Sequence, residues 1–133
     1  MTKVMCFGSF DFFHEGHKYF LRECAKNGDI LYIVLATDKN IEMAKGEKPM
    51  FDIRERMSHI YKVFPEAILI EGNETDFYMP IREIKPDIVC LGHDQDADIN
   101  RIKNEFPNIK IIRIEAHERE RYKSSLLKKE QKK

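Results

Sequence analysis

The run Ile30-Leu31-Tyr32-Ile33-Val34-Leu35-Ala36 has no charged residue and no alternation of apolar and polar positions. Such a run fits a β-strand covered on both faces rather than one with a solvated side. Strands of that kind belong inside a parallel sheet wrapped by helices, and the remaining chain supplies the other pieces. Residues 4–7 form a short apolar run ending at Gly8, a first strand. From about residue 16 to residue 27, Phe20, Leu21, Cys24 and Ala25 recur at helical spacing until Gly28-Asp29 breaks the pattern. After Ala36 a polar stretch through Lys48-Pro49 predicts a short helix and a mobile loop. Asp52 followed by Glu55 three positions on is a helix-start signal, with Ile53, Met57, Ile60 and Phe64 as its buried stripe and Pro65 as its stop. Residues 67–70 predict a third strand, Gly72-Asn73 a turn, and residues 80–85 a short helix that Pro86 ends. Residues 88–91 predict a fourth strand, Ile99, Ile102 and Phe106 a helix closed by Pro107, and residues 109–114 a fifth strand. A last helix is expected from Ser124 onward. Strand–helix alternation with about five strands predicts an α/β, Rossmann-like, doubly wound parallel sheet with helices on both faces. No repeat or linker interrupts it.

The length of 133 residues suits one domain over 1–133, with the last few lysine-rich residues disordered. Twenty-three basic residues balance 23 acidic ones, which argues against a nucleic-acid partner, since those binders carry a basic excess. No apolar run reaches the ~20 residues needed to span a bilayer, and the N-terminus lacks a signal pattern, so no membrane association is expected. Cys6, Cys24 and Cys90 lie in apolar sequence without a C-x-x-C pair. Scattered thiols of that kind suit core positions in a reducing compartment, which points to the cytoplasm.

Ligands of an open parallel sheet bind beyond the carboxyl ends of its strands, where strand order reverses. Gly8-Ser9-Phe10-Asp11-Phe12-Phe13-His14-Glu15-Gly16-His17 falls at that rim. Gly8 lets backbone approach a ligand, and Gly16 opens a helix whose free N–H groups suit phosphate. His14 and His17, three apart, can face one ligand and stabilise charge developing on a phosphate oxygen. Two histidines beside two glycines outweigh the alternative of surface or capping residues. A zinc site ranks low because no cysteine accompanies the pair, and the spacing is not His-Glu-x-x-His. Two further polar sets, 92–95 and 113–125, should converge on the same rim.

Gly-Ser-Phe-Asp-Phe-Phe-His-Glu-Gly-His resembles the Gly-Thr-Phe-Asp-x-x-His-x-Gly-His signature of the cytidylyltransferase-like nucleotidyltransferases, with Ser9 keeping the hydroxyl of the usual threonine. The resemblance runs to about Lys129. It implies transfer of a nucleoside monophosphate from an NTP to a small phosphorylated acceptor, with release of pyrophosphate. His14, His17 and Lys45 would be catalytic; Gly8, Ser9, Phe10, Asp11, Gly16, Arg56, Gly92, Asp94, Arg119, Ser124 and Ser125 would bind the nucleotide. Lys45-Gly46-x-Lys48-Pro49 resembles the family's triphosphate-contacting loop, and Leu91-Gly92-His93-Asp94 its nucleotide-contacting loop, with Asp94 toward ribose or base. A solvated loop lysine, a surface salt bridge for Arg56 and helix capping by Asp96 or Asp98 are the plainer alternatives. Mg2+ would arrive with the NTP, and a homodimer is implied.

Where the cytidylyltransferases carry Arg-Thr-Glu-Gly-Ile-Ser-Thr, this chain has Arg119-Glu120-Arg121-Tyr122-Lys123-Ser124-Ser125. Paired serines at a helix start still form a phosphate cradle, and Arg119 or Arg121 would approach the β- and γ-phosphates. Lys-Gly-x-Lys-Pro and Gly-His-Asp-Gln look more like the adenylyl-transferring FAD synthetases, so ATP is favoured. CTP with a glycerol-3-phosphate-like acceptor, and a catalytically silent nucleotide-binding module, are the alternatives.

Overall fold

The structure, a computed structural model, describes residues 1–92, Gln95 and 98–115. The helix expected from Ser124 and the lysine-rich end lie outside them. The elements run β1 (Lys3–Gly8), α1 (Glu15–Ala25), β2 (Ile30–Leu35), α2 (Asp38–Lys45), α3 (Ile53–Val63), β3 (Ile68–Glu71), α4 (Met79–Ile84), β4 (Ile88–Gly92), α5 (Ile99–Glu105) and β5 (Lys110–Ile114). All four strand pairings are parallel, in the order β3-β2-β1-β4-β5. The chain thus winds outward from β1 to β3, then crosses back to place β4 on the other side of β1. The expected α/β sheet is present, and its order reverses between β1 and β4.

The helix boundaries follow local chemistry. Thr37 caps α2 by accepting from the Asn40 N–H at 3.0 Å, and Gly46, at φ 83°, ends it in the left-handed conformation glycine favours. Asp52 and Glu55 form the expected reciprocal capping box on α3. Asp98 caps α5 through the Arg101 N–H. Helix α1 stops at Ala25, two residues short of expectation, because the Asn27 side-chain amide folds back to donate to the carbonyls of Glu23 and Cys24.

Alternate residues of β1 serve opposite faces. Val4 and Cys6 join Leu21, Cys24, Ile33, Leu35, Ile60 and Cys90 in the core beneath α1 and α3. Met5 and Phe7 join Val34, Tyr78, Ile81, Val89, Leu91 and Ile102 beneath α4 and α5. Helices therefore cover both faces, as the unbroken apolar runs require. Cys6, Cys24 and Cys90 are all buried free thiols. A hydrogen bond with Cys6, aided by burial, pushes the Cys24 thiol far up; contact with Cys24, then burial, does the same to Cys90. Thiols held protonated in a packed core are fillers rather than nucleophiles.

A candidate active site at the carboxyl ends of β1 and β4

The loop leaving β1 is held in an uncommon backbone conformation. Phe10 (φ 54°) and Phe12 (φ 52°) both occupy the left-handed region, which non-glycine residues rarely adopt. Two such residues two positions apart mark a segment whose surroundings dictate its shape. Phe10 turns its ring into the core and meets His17 edge-on, with centroids 5.4 Å apart. A Cβ on Gly8 would lie 2.8 Å from two atoms of that ring. Gly8 therefore makes room for Phe10. Gly8→Ala is expected to cost about 1–3 kcal/mol through overpacking, read as a lowered Tm in thermal denaturation.

His14 and His17 stack, with centroids 3.8 Å apart and planes at 17°. The capping function set aside from the sequence is present in both. Nδ1 of His14, the N-cap of α1, accepts from the N–H groups of Gly16 (3.0 Å) and His17 (3.4 Å). Nδ1 of His17 accepts in turn from the His14 N–H at 3.4 Å. Gly16's N–H, expected to face a phosphate, is occupied by this box. An Nδ1 that accepts leaves the ring proton on Nε2. Capping thus uses one edge of each ring, and the cap fixes which edge carries the donor.

Asp11 lashes the loop to the segment before α3: its carboxylate accepts from the N–H groups of Met50 (2.8 Å) and Phe51 (3.1 Å). Arg56 requires a correction. Expected to contact nucleotide or to form a surface salt bridge, it is fully buried beneath the loop and pairs with the half-exposed Asp38. Its Nε donates to the Phe51 carbonyl (3.0 Å), Nη1 to the carbonyls of Ser9 (2.8 Å) and Ala36 (2.9 Å), and Nη2 to Asp38 (2.6 Å). With four of its five N–H donors on protein acceptors, Arg56 joins the ends of β1 and β2 to α3 and positions Ser9 from behind.

On the other side of the switch point, Gln95 accepts from the Gly92 N–H (2.7 Å) and donates to the Phe7 carbonyl (2.7 Å). Arg113 donates to the carbonyls of Gly92 and Gln95, each at 2.8 Å. The carboxyl ends of β1, β4 and β5 are stapled together. Gln95 and Arg113 were placed in the converging sets without a role. Arg113 stands out in the sequence as a charge between Ile112 and Ile114, inside β5. Lys45 ends α2 in solvent, with Lys48 exposed beyond it. Asp94, Arg119, Ser124 and Ser125 lie outside the described residues.

A parallel sheet with a glycine-histidine loop at its reversal point and paired imidazoles on the first helix defines a nucleotide-handling α/β protein of the nucleotidyltransferase class. The cytidylyltransferase-like family model matches residues 5–130. The chain belongs to that family. Among curated relatives, an FAD synthase of Archaeoglobus profundus is 36% identical over 94% of this chain and 82% of its own length. An FAD synthase of Archaeoglobus fulgidus is 38% identical over 86% of this chain and 85% of its own. Among solved structures, a lipopolysaccharide core biosynthesis protein of Thermoplasma volcanium superposes with a TM-score of 0.81 at 34% identity, covering 89% of this chain and 99% of that one. The chain is a nucleotidyltransferase, moving a nucleoside monophosphate onto a phosphorylated acceptor and releasing pyrophosphate. No described helix is long and apolar enough to cross a membrane.

Proposed function

We propose that this enzyme transfers AMP from ATP to FMN, yielding FAD and pyrophosphate. The observation that carries the proposal is the similarity to FAD synthases along most of both chains. A phosphate oxygen of FMN attacks the α-phosphorus of ATP. The bond from that phosphorus to the oxygen bridging to the β-phosphorus breaks, its electron pair stays on the bridging oxygen, and pyrophosphate departs. Such a transfer needs placement and charge neutralisation more than covalent help.

His14 and His17, with donors on Nε2, would stabilise the crowded α-phosphate; the stapled end of β4 would carry Asp94 toward the nucleoside. Lys45, Arg119, Ser124 and Ser125 would hold the leaving pyrophosphate, and Ser9, Phe10, Asp11, Gly16 and Gly92 would shape the nucleotide site. Nucleotidyltransferases of this type typically use a divalent metal. Mg2+ would arrive with the triphosphate and offset its charge. We also propose that residues 1–133 act as one domain, that the enzyme is a homodimer, and that it works in the cytoplasm.

The test is pyrophosphate release with ATP or CTP crossed with FMN, glycerol-3-phosphate and sugar phosphates. ATP with FMN is expected to exceed every other pair in kcat/KM by at least ~10-fold. A preference for CTP, or for a non-flavin acceptor, overturns the assignment.

A further inference from the structure

We propose that the recess between the histidine loop and α3, walled by Phe12, Phe51 and His59 and rimmed by Lys18 and Lys62, holds the ring system of the acceptor. This rests on the proposal above that the acceptor is a phosphate ester of a planar aromatic ring. The recess is broad and open to solvent, with a volume of about 430 Å³. Its walls are aromatic without being core. Phe12 is 56% exposed, although its backbone is held in the left-handed region. Phe51 meets Phe12 edge-on at 5.7 Å and His59 at 4.8 Å, leaving ring surface toward the recess. An exposed Phe12 beside half-buried Phe51 and His59 suits a flat, apolar guest that stacks or packs edge-on.

Position makes the acceptor the fitting guest. Phe13, also in the lining, stacks on His17 with centroids 6.0 Å apart and planes at 11°, and His17 stacks on His14. The recess therefore begins one ring away from the paired imidazoles. A molecule with its phosphate at the histidines and its ring among Phe12, Phe51 and His59 spans that layout. The lining carries two lysines and no carboxylate. Lys18 is tied to Glu15 at 3.3 Å on the helix surface, so Lys62 is the rim cation left without a described ion pair. The Asp11 carboxylate also ties the Phe51 N–H to the histidine loop, so one wall of the recess is anchored to the segment that carries His14.

The experiment combines FMN and riboflavin titrations, followed by flavin fluorescence quenching, with steady-state kinetics on wild type, Phe51→Ala and Phe51→Tyr. Phe51→Ala is expected to raise Kd and KM for FMN on the order of 10-fold, the usual weight of an aromatic stack, with KM for ATP unchanged. Riboflavin affinity should fall in parallel, because the ring and not the phosphate is being held, and Phe51→Tyr should restore both. His59→Ser, on the outer wall, repeats the test should Phe51→Ala lower the melting temperature. Wild type that adenylylates FMN while Phe51→Ala and His59→Ser keep its KM and Kd overturns the recess alone. Wild type that binds FMN in a Phe51-dependent way without adenylylating it upholds the recess and overturns the assigned reaction. Absence of any flavin binding overturns both. A Phe51→Ala enzyme that keeps its FMN affinity but sediments as a smaller species marks the recess as a contact between two copies, and the proposal fails.

Discussion

His14→Asn is expected to lower kcat for pyrophosphate release by about 10²–10³, the usual cost of losing one donor to a developing oxyanion, with Tm close to wild type. Asparagine separates the two jobs of this residue. It ranks among the best N-cap side chains, so it can still accept from the N–H groups of Gly16 and His17 that Nδ1 now serves. It lacks the far edge of the imidazole, where the capping bond leaves the proton. His14→Ala should lose both functions, adding about 1 kcal/mol of instability to the same fall in rate. His17→Ala should match the fall in kcat. If His14→Asn turned over like wild type while His14→Ala merely melted earlier, the ring would be a cap and nothing more. Stopped assays under ATP saturation, alongside thermal denaturation, make the distinction.

The parts of this fold that were readable in the sequence are those where one physical requirement dominates. β1, β2 and β4 are covered on both faces, so their apolar runs had no competing explanation. β3 lies at the sheet edge with Ile68 partly exposed, and its start was misplaced by one residue. The end of α1 depends on an asparagine side chain reaching back, which periodicity does not encode. Within the site, the glycines and histidines were legible but the reasons for them were not. Gly8 answers to the ring of Phe10, and the histidines cap a helix, a duty more often given to serine or aspartate. The recess could not be read at all. Phe12 and Phe51 lie far apart in the chain and meet because Asp11 clamps one segment to the other.

The position of Arg56 in the sequence already signals burial. It lies three residues after Ile53 and four before Ile60, on the same helical stripe as the apolar positions, whereas Arg54 lies off it. A charge on a buried stripe has to be spent on partners, and this one is spent on three backbone carbonyls and Asp38. Removing it should cost more than any surface salt bridge. The carboxylate of Asp38 is 44% exposed and would rehydrate, so the penalty comes chiefly from the stranded carbonyls of Ser9, Ala36 and Phe51. Each buried acceptor left unsatisfied costs about 1–3 kcal/mol. Arg56→Met, which keeps much of the volume, is therefore expected to destabilise by roughly 3–5 kcal/mol, a fall in Tm on the order of 10–20 °C. Arg56→Lys supplies a point charge in place of a planar fork and cannot serve all four acceptors together, so it should fall between. The same variants should lose kcat below their melting transition, because the Ser9 carbonyl is what fixes the start of the histidine loop. Urea titration with kinetics on the folded fraction reads both effects. Wild-type stability in Arg56→Met would mean that water replaces the guanidinium without loss, and Arg56 would then be no clamp.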